Sequence, residues 1–129
     1  MIKKIKIKFP SYSFNIDCCL NNTNIAQNIY DKLPQESRVR RWGEEIYFEL
    51  PFKFENEKPT LNVDIGDVGW WPEGNCFCIF FGKTPNSLDD KPKPYSEVTI
   101  IGKIVIDEEI IKKLKLVKSN SKVRLEKYE

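Results

Sequence analysis

The sequence contains no histidine. Imidazole is the commonest general base and the commonest metal ligand. Its absence excludes a Ser-His-Asp triad, a His-paired thiolate and a His-bearing zinc site built from this chain alone. An excess of one charge is also missing: Lys+Arg 21 against Asp+Glu 19 gives a formal net charge of +2 over 129 residues. The basic face of a nucleic-acid binder normally dominates its domain's charge, so no nucleic-acid partner is expected. No apolar run approaches the roughly 20 residues needed to span a bilayer. The opening Met1-Ile2-Lys3-Lys4-Ile5-Lys6-Ile7-Lys8-Phe9 alternates lysine with apolar residues where a signal peptide would be continuously apolar. The expectation is a cytoplasmic chain without membrane association.

Disulfide and metal frameworks are absent as well. Of the four cysteines, Cys18 and Cys19 are neighbours whose side chains diverge on a strand, while Cys76 and Cys78 share a face. Neither pair has the spacing of a disulfide scaffold or a CxxC knuckle. Four reduced, mostly buried thiols are expected, with no metal and no cofactor. A hydrophobic fraction of 40% beside 31% charged residues suits one domain over residues 1–129 with a single core.

Period-2 alternation is what the sequence does have. Residues 4–9 and 12–17 read as a hairpin, with Ile5, Ile7 and Phe9 on one face and Tyr12, Phe14 and Ile16 on the other strand's inner face. The lysines between them suit the wet face of an edge strand. Residues 23–33 switch to helical spacing (Ile25, Ala26, Ile29, Tyr30, Leu33) and stop at Pro34. Strands follow at 38–42 and 46–50, then 68–71 and 76–81 around the turn Pro72-Glu73-Gly74-Asn75. Residues 76–81 are apolar on both faces and belong in mid-sheet. Residues 56–62 and the proline-rich 84–94 read as loops, and 98–105 as a strand with Gly102 at a bulge or close approach. A second helix starts at Asp107-Glu108-Glu109, with Ile110, Ile111 and Leu114 inward and lysines placed for two (i, i+4) pairs. Residues 121–128 close the chain as a strand. The sum is all-β: a closed or nearly closed antiparallel barrel of about eight strands, with two short helices capping its ends.

Three blocks stand out: Trp42-Gly43-Glu44-Glu45-Ile46-Tyr47-Phe48, Gly66-Asp67-Val68-Gly69-Trp70-Trp71-Pro72-Glu73-Gly74-Asn75-Cys76-Phe77-Cys78-Ile79-Phe80-Phe81-Gly82-Lys83-Thr84-Pro85 and Val98-Thr99-Ile100-Ile101-Gly102-Lys103-Ile104. In this order they closely resemble an uncharacterised prokaryotic family of small, atypical cyclophilin-like proteins. The resemblance implies a helix-capped antiparallel barrel. The better-known relatives of that fold are peptidyl-prolyl isomerases, and alignment to their pattern implies specific departures. Cys76 stands where a pocket glutamine would be, Cys78 at the aromatic floor and Val98 at a histidine. Glu45 and Tyr47 replace a methionine and a glutamine, and Trp70 and Trp71 replace small residues. Val39 takes the place of the catalytic arginine, with Arg38 and Arg40 one residue to either side. A one-residue offset sends a strand side chain to the opposite face.

Alternation together with this resemblance implies a cyclophilin-like domain that binds a peptide segment or small ligand in an aromatic and acidic cleft. Trp42, Glu44, Glu45 and Tyr47 are expected on one side, with Trp70, Trp71, Asn75, Cys76, Cys78 and Phe80 completing the walls. Each has a plainer reading: tryptophans as packing, Glu44 and Glu45 as solvated turn acids, the cysteines as buried filler. Adjacent tryptophans on a strand face opposite ways, however, so one of Trp70 and Trp71 must meet a helix, a loop or a ligand. One alternative is a weak peptidyl-prolyl isomerase using Arg38, Arg40 or Arg41 as its cation. Another is a non-enzymatic interaction module assembling through a sheet edge or an exposed tryptophan, with oligomeric state open.

Overall fold

The computed structural model describes residues 3–128; the Met1-Ile2 that begins the lysine-alternating stretch lies outside them. Among these described residues, nine strands form one antiparallel sheet. They are β1 (Lys3–Phe9), β2 (Phe14–Leu20), β3 (Gln35–Arg38), β4 (Arg40–Arg41), β5 (Glu45–Glu49), β6 (Asp67–Trp71), β7 (Cys76–Phe80), β8 (Thr99–Ile104) and β9 (Lys122–Lys127). Their spatial order is β3-β9-β1-β2-β8-β6-β7-β5-β4.

The two outermost strands are consecutive in the chain, separated only by Val39. The Val39 N–H donates to the Ser121 carbonyl at 2.8 Å, and the Asn120 N–H donates to the Val39 carbonyl at 2.7 Å. One kinked segment therefore pairs with β9 through its first half and with β5 through its second. That brings the open ends of the sheet together into a nearly closed barrel. The ninth strand arises here, because pairing starts at Gln35, ahead of the expected 38, and breaks at Val39.

Alternation sorts side chains between the barrel interior and its outer surface. Ile5, Ile7 and Phe9 of β1, Ile46 and Phe48 of β5, Val68 and Trp70 of β6, Phe77 and Ile79 of β7, and Val123 and Leu125 of β9 fill the interior. Fully burying an aliphatic or aromatic side chain of this size contributes roughly 1.5–3 kcal/mol. Two helices add to the same core. In α1 (Asn24–Asp31), the Thr23 hydroxyl caps the Ala26 N–H while Ile25, Ala26 and Ile29 point inward. In α2 (Glu108–Leu116), Asp107 caps the Ile110 N–H and Leu114 is fully buried.

Several local expectations are corrected. β2 starts at Phe14, not at residue 12, because Pro10–Tyr12 form a 3-10 turn ending at a left-handed Ser13. Tyr12 is drawn to the surface, where its hydroxyl accepts from the Lys118 N–H at 2.9 Å. Ile16, Cys18 and Leu20 are the inward residues of β2. β1 is not an edge strand, since β9 and β2 flank it. Its lysines lie instead over rings or beside acids: Lys4 and Lys6 at Tyr128, Lys8 at Glu126. Neither (i, i+4) pair on α2 closes, and Lys115 reaches Glu44 at 3.3 Å. Gly102 is a close approach: a Cβ there would meet the Cys19 carbonyl oxygen at 2.5 Å. The register against β6 also slips at this point, Val68 facing Gly102 and Gly69 facing Ile100. The skipped Ile101 bends β8 as a bulge does.

Candidate functional site

β5, β7 and β6 lie side by side, so the stretches expected to form the cleft are neighbours. Their outward residues form a second cluster apart from the core: Cys76, Cys78 and Phe80 with Val63 and Val98, and Tyr47, Trp71 and Ile100 packed against it. The segment at 82–98 folds back over this face. It is anchored by the Thr60–Val98 bridge, with backbone bonds of 2.9 and 3.0 Å. Its own turn is tied by Thr84 Oγ1 donating to the Lys93 carbonyl (2.5 Å) and by Ser87 Oγ donating to that of Lys91 (2.7 Å). Gly43 permits the close contact between the β4–β5 turn and this segment. It adopts φ +61°, and a Cβ would meet the Lys83 carbonyl oxygen at 2.8 Å.

Between segment and sheet lies an open cavity of about 240 Å³, lined by Trp42, Glu45, Tyr47, Trp71, Pro94, Tyr95 and Val98. Its rings are set at right angles in series. Trp42 and Tyr95 have centroids 5.9 Å apart at 87°, Tyr95 and Trp71 6.0 Å at 88°, and Trp71 and Tyr47 6.3 Å at 83°. The Trp71 indole N–H is spoken for, donating to Ser96 Oγ at 2.7 Å.

Glu45 is the one acidic residue of the lining. It is only 6% exposed, and its Oε1 has no hydrogen-bond partner. Burial pushes its carboxyl up to about 7, with the Cys78 thiol beside it opposing the shift. A buried carboxylate without a partner is costly, so this group holds a proton through the mildly acidic range. Burial likewise raises the Tyr47 hydroxyl, the Cys76 thiol to about 11 and the Cys78 thiol well above its ordinary value. Both thiols are thus poor nucleophiles at neutral pH.

The expected site residues divide by position. Trp42, Glu45, Tyr47 and Trp71 line the cavity together. Cys78 and Phe80 lie beneath it in the outer cluster, closed off from solvent. Cys76 is buried next to them, its thiol turned to the Gly74 carbonyl at 3.3 Å. Trp70 is placed elsewhere, in the barrel interior with no exposure and 5.1 Å from the Phe54 ring. Glu44 points away to Lys115 and lies against Gly82. Asn75 occupies the left-handed corner of the β6–β7 turn (φ 54°), lining a separate surface depression with Lys53 and Pro72.

Sequence reasoning missed Pro94 and Tyr95, and gave Val98 no lining role. Tyr95 follows Pro94 in a loop that returns to the sheet. An aromatic ring in an otherwise polar, proline-rich loop was the available signal.

The arginines also separate. Arg41 donates to the carbonyls of Leu114 (3.2 Å), Val117 (2.7 Å) and Gly43 (3.2 Å), fastening the end of α2. Arg38 donates to the Asn120 carbonyl at 3.1 Å. Arg40 is paired directly opposite Tyr47 and therefore shares its outward face, exposed at the cleft's edge. Among the described residues, no three Cys, Asp or Glu side chains are grouped to hold a metal ion, and no helix is long and apolar enough to cross a membrane.

The family model described as cyclophilin-like matches residues 3–126. The chain is also similar to the solution structure of the hypothetical protein AF2241 from Archaeoglobus fulgidus. The TM-score is 0.78 and the identity 35%, covering 98% of this chain and 95% of that one. None of the curated proteins matches the chain.

Proposed function

As the chain belongs to the cyclophilin-like family, we propose that it is a binding protein whose outer cleft takes a small ligand or one side chain of a peptide segment. A single observation carries this reading: the unpartnered Glu45 oxygen is buried in the wall of an open, ring-lined cavity. A group that costs stability when left alone is retained most readily where an occupant satisfies it. Trp42, Tyr47, Trp71 and Tyr95 supply contact area at little entropic cost. The test is a thermal-shift screen on the wild-type chain, repeated on Trp71→Ala and Glu45→Gln. Ligands that raise the wild-type Tm are expected to lose that effect in both variants. Ligands stabilising all three proteins equally would place binding elsewhere.

A second reading, weak peptidyl-prolyl isomerisation, draws on Arg40 at the edge of the same face. It needs a cation beside the twisting amide over a proline-shaped apolar floor. Here the lining has a carboxyl group in its wall and tryptophan and tyrosine rings set at right angles instead. A coupled-protease assay on Xaa-Pro peptides separates the two readings, and a rate equal to the uncatalysed one removes the second.

A further inference from the structure

The composition of the cleft narrows the class of its occupant. A primary ammonium or a guanidinium brings three or five N–H donors, and each must find an acceptor once water is stripped away. The lining is short of acceptors. Pro94 and Val98 present hydrocarbon, and the Trp71 indole is a donor already engaged by Ser96. That leaves the free Glu45 oxygen and tyrosine hydroxyls. What the cavity has in quantity is aromatic surface turned in several directions, the Trp42, Tyr95, Trp71 and Tyr47 rings succeeding one another at 83° to 88°. Aromatic rings attract a positive charge through their quadrupole without requiring a hydrogen bond. A buried carboxylate in the same wall supplies the balancing charge.

We propose that the cleft binds a methylated ammonium group, with the rings of Trp42, Tyr47, Trp71 and Tyr95 around the cation and the Glu45 carboxylate as its counter-ion. The inference rests on the cleft being a ligand site. A methylated ammonium keeps its charge while offering few or no donors, so it brings no N–H that lacks an acceptor, and Glu45 gains an opposite charge rather than a hydrogen bond. The titratable and charged groups around Glu45 are Tyr47 on β5, Cys76 and Cys78 on β7, Tyr95 from the overlying segment and, at the edge, Arg40 on β4. The two thiols and Tyr47 stay neutral through pH 8. Glu45, which releases its proton around pH 7, is thus the group whose charge changes. Binding of a cation draws that proton off, so affinity rises by roughly tenfold between pH 6 and pH 8.

The experiment uses the full chain with 15N-labelled tryptophan side chains. Choline is titrated against 3,3-dimethylbutan-1-ol, its uncharged counterpart of the same shape. Choline is expected to shift the Trp42 and Trp71 indole signals and to bind about tenfold more tightly than the alcohol. Glu45→Gln is expected to narrow that advantage, the share owed to the rings remaining. An alcohol that binds as tightly as choline would overturn the cationic class and leave the cleft a binding site. Failure of choline, the alcohol and a general fragment panel to move either indole signal would overturn both. A peptide carrying trimethyllysine, set against its unmodified form, distinguishes the two sources of this chemistry. If the modified peptide binds more tightly than choline, the cation belongs to a polypeptide; if it gains nothing over choline, the occupant is a free small molecule. Equal binding of the unmodified peptide would overturn the proposal.

Discussion

Glu45 concentrates the physical tension of this molecule in one side chain. Its carboxyl ionises near 4.5 in an unstructured chain and near 7 in the fold, because burial penalises the charged form. Between those values the folded protein keeps a proton that the unfolded chain has lost. Raising the pH through this window therefore favours unfolding, and the penalty levels off above about 7. A shift of this size corresponds to a loss of about 3 kcal/mol. Denaturant unfolding at pH 5 and pH 8 should show the wild type losing stability by up to that amount relative to Glu45→Gln, whose amide does not titrate. Parallel pH profiles for the two proteins would mean that the carboxyl is not desolvated. The sequence makes Glu45 a candidate by its neighbours, but not its burial: Glu44 has the same side chain one position earlier and reaches Lys115 in solvent. The adjacent tryptophans pose the same difficulty. That they diverge is legible from strand geometry alone. That Trp70 is the inward one depends on its register opposite Phe77 and on Phe54 arriving from a distant loop.

At the scale of elements, legibility follows how one-sided the burial is. β1, β7 and β9 were readable because their apolar residues recur at period 2 against one continuous core, or on both faces in mid-sheet. β3 was not, because Gln35, Glu36, Ser37 and Arg38 show no apolar alternation, and only Val39 beyond them is buried. Its role as the closing segment comes from backbone pairing to β9, which composition does not record. The arginines beside the kink separate the two functions of this segment. Arg41 holds three carbonyls near the end of α2 and lies 5.2 Å from the Phe81 ring. Arg41→Ala removes these charged hydrogen bonds and should destabilise the protein by about 1.5–3 kcal/mol. Arg40→Ala, at an exposed position, should stay within about 0.5 kcal/mol of the wild type. Urea titration of both variants checks the contrast, and equal losses would show that Arg41 does not fasten the helix.

At the scale of the whole molecule, closing the sheet divides its hydrophobic residues into two populations. The interior cluster carries the fold, and the smaller outer cluster supports the cleft. Hydropathy cannot separate them, since Phe80 and Phe77 are equally buried on the same strand and differ only in the face they take. The long return of residues 82–98 over the sheet is equally silent in the sequence, because its contacts with β5 and β6 are non-local. Tyr95 depends on that return. It is 63% exposed, yet its ring stands perpendicular to both Trp42 and Trp71. A side chain so placed shields two cleft tryptophans while contributing little to the core, so Tyr95→Ala should separate access from stability. The variant is expected to unfold within about 1 kcal/mol of the wild type, as exposed substitutions do. Collisional quenching of its tryptophan fluorescence by acrylamide should increase, the gain coming from Trp42 and Trp71 while Trp70 stays protected in the barrel. Assigning the signal with single Trp→Phe variants makes the test specific. Quenching unchanged by the loss of Tyr95 would mean that the returning segment does not wall the cleft, and the division of labour between the two clusters would fail with it.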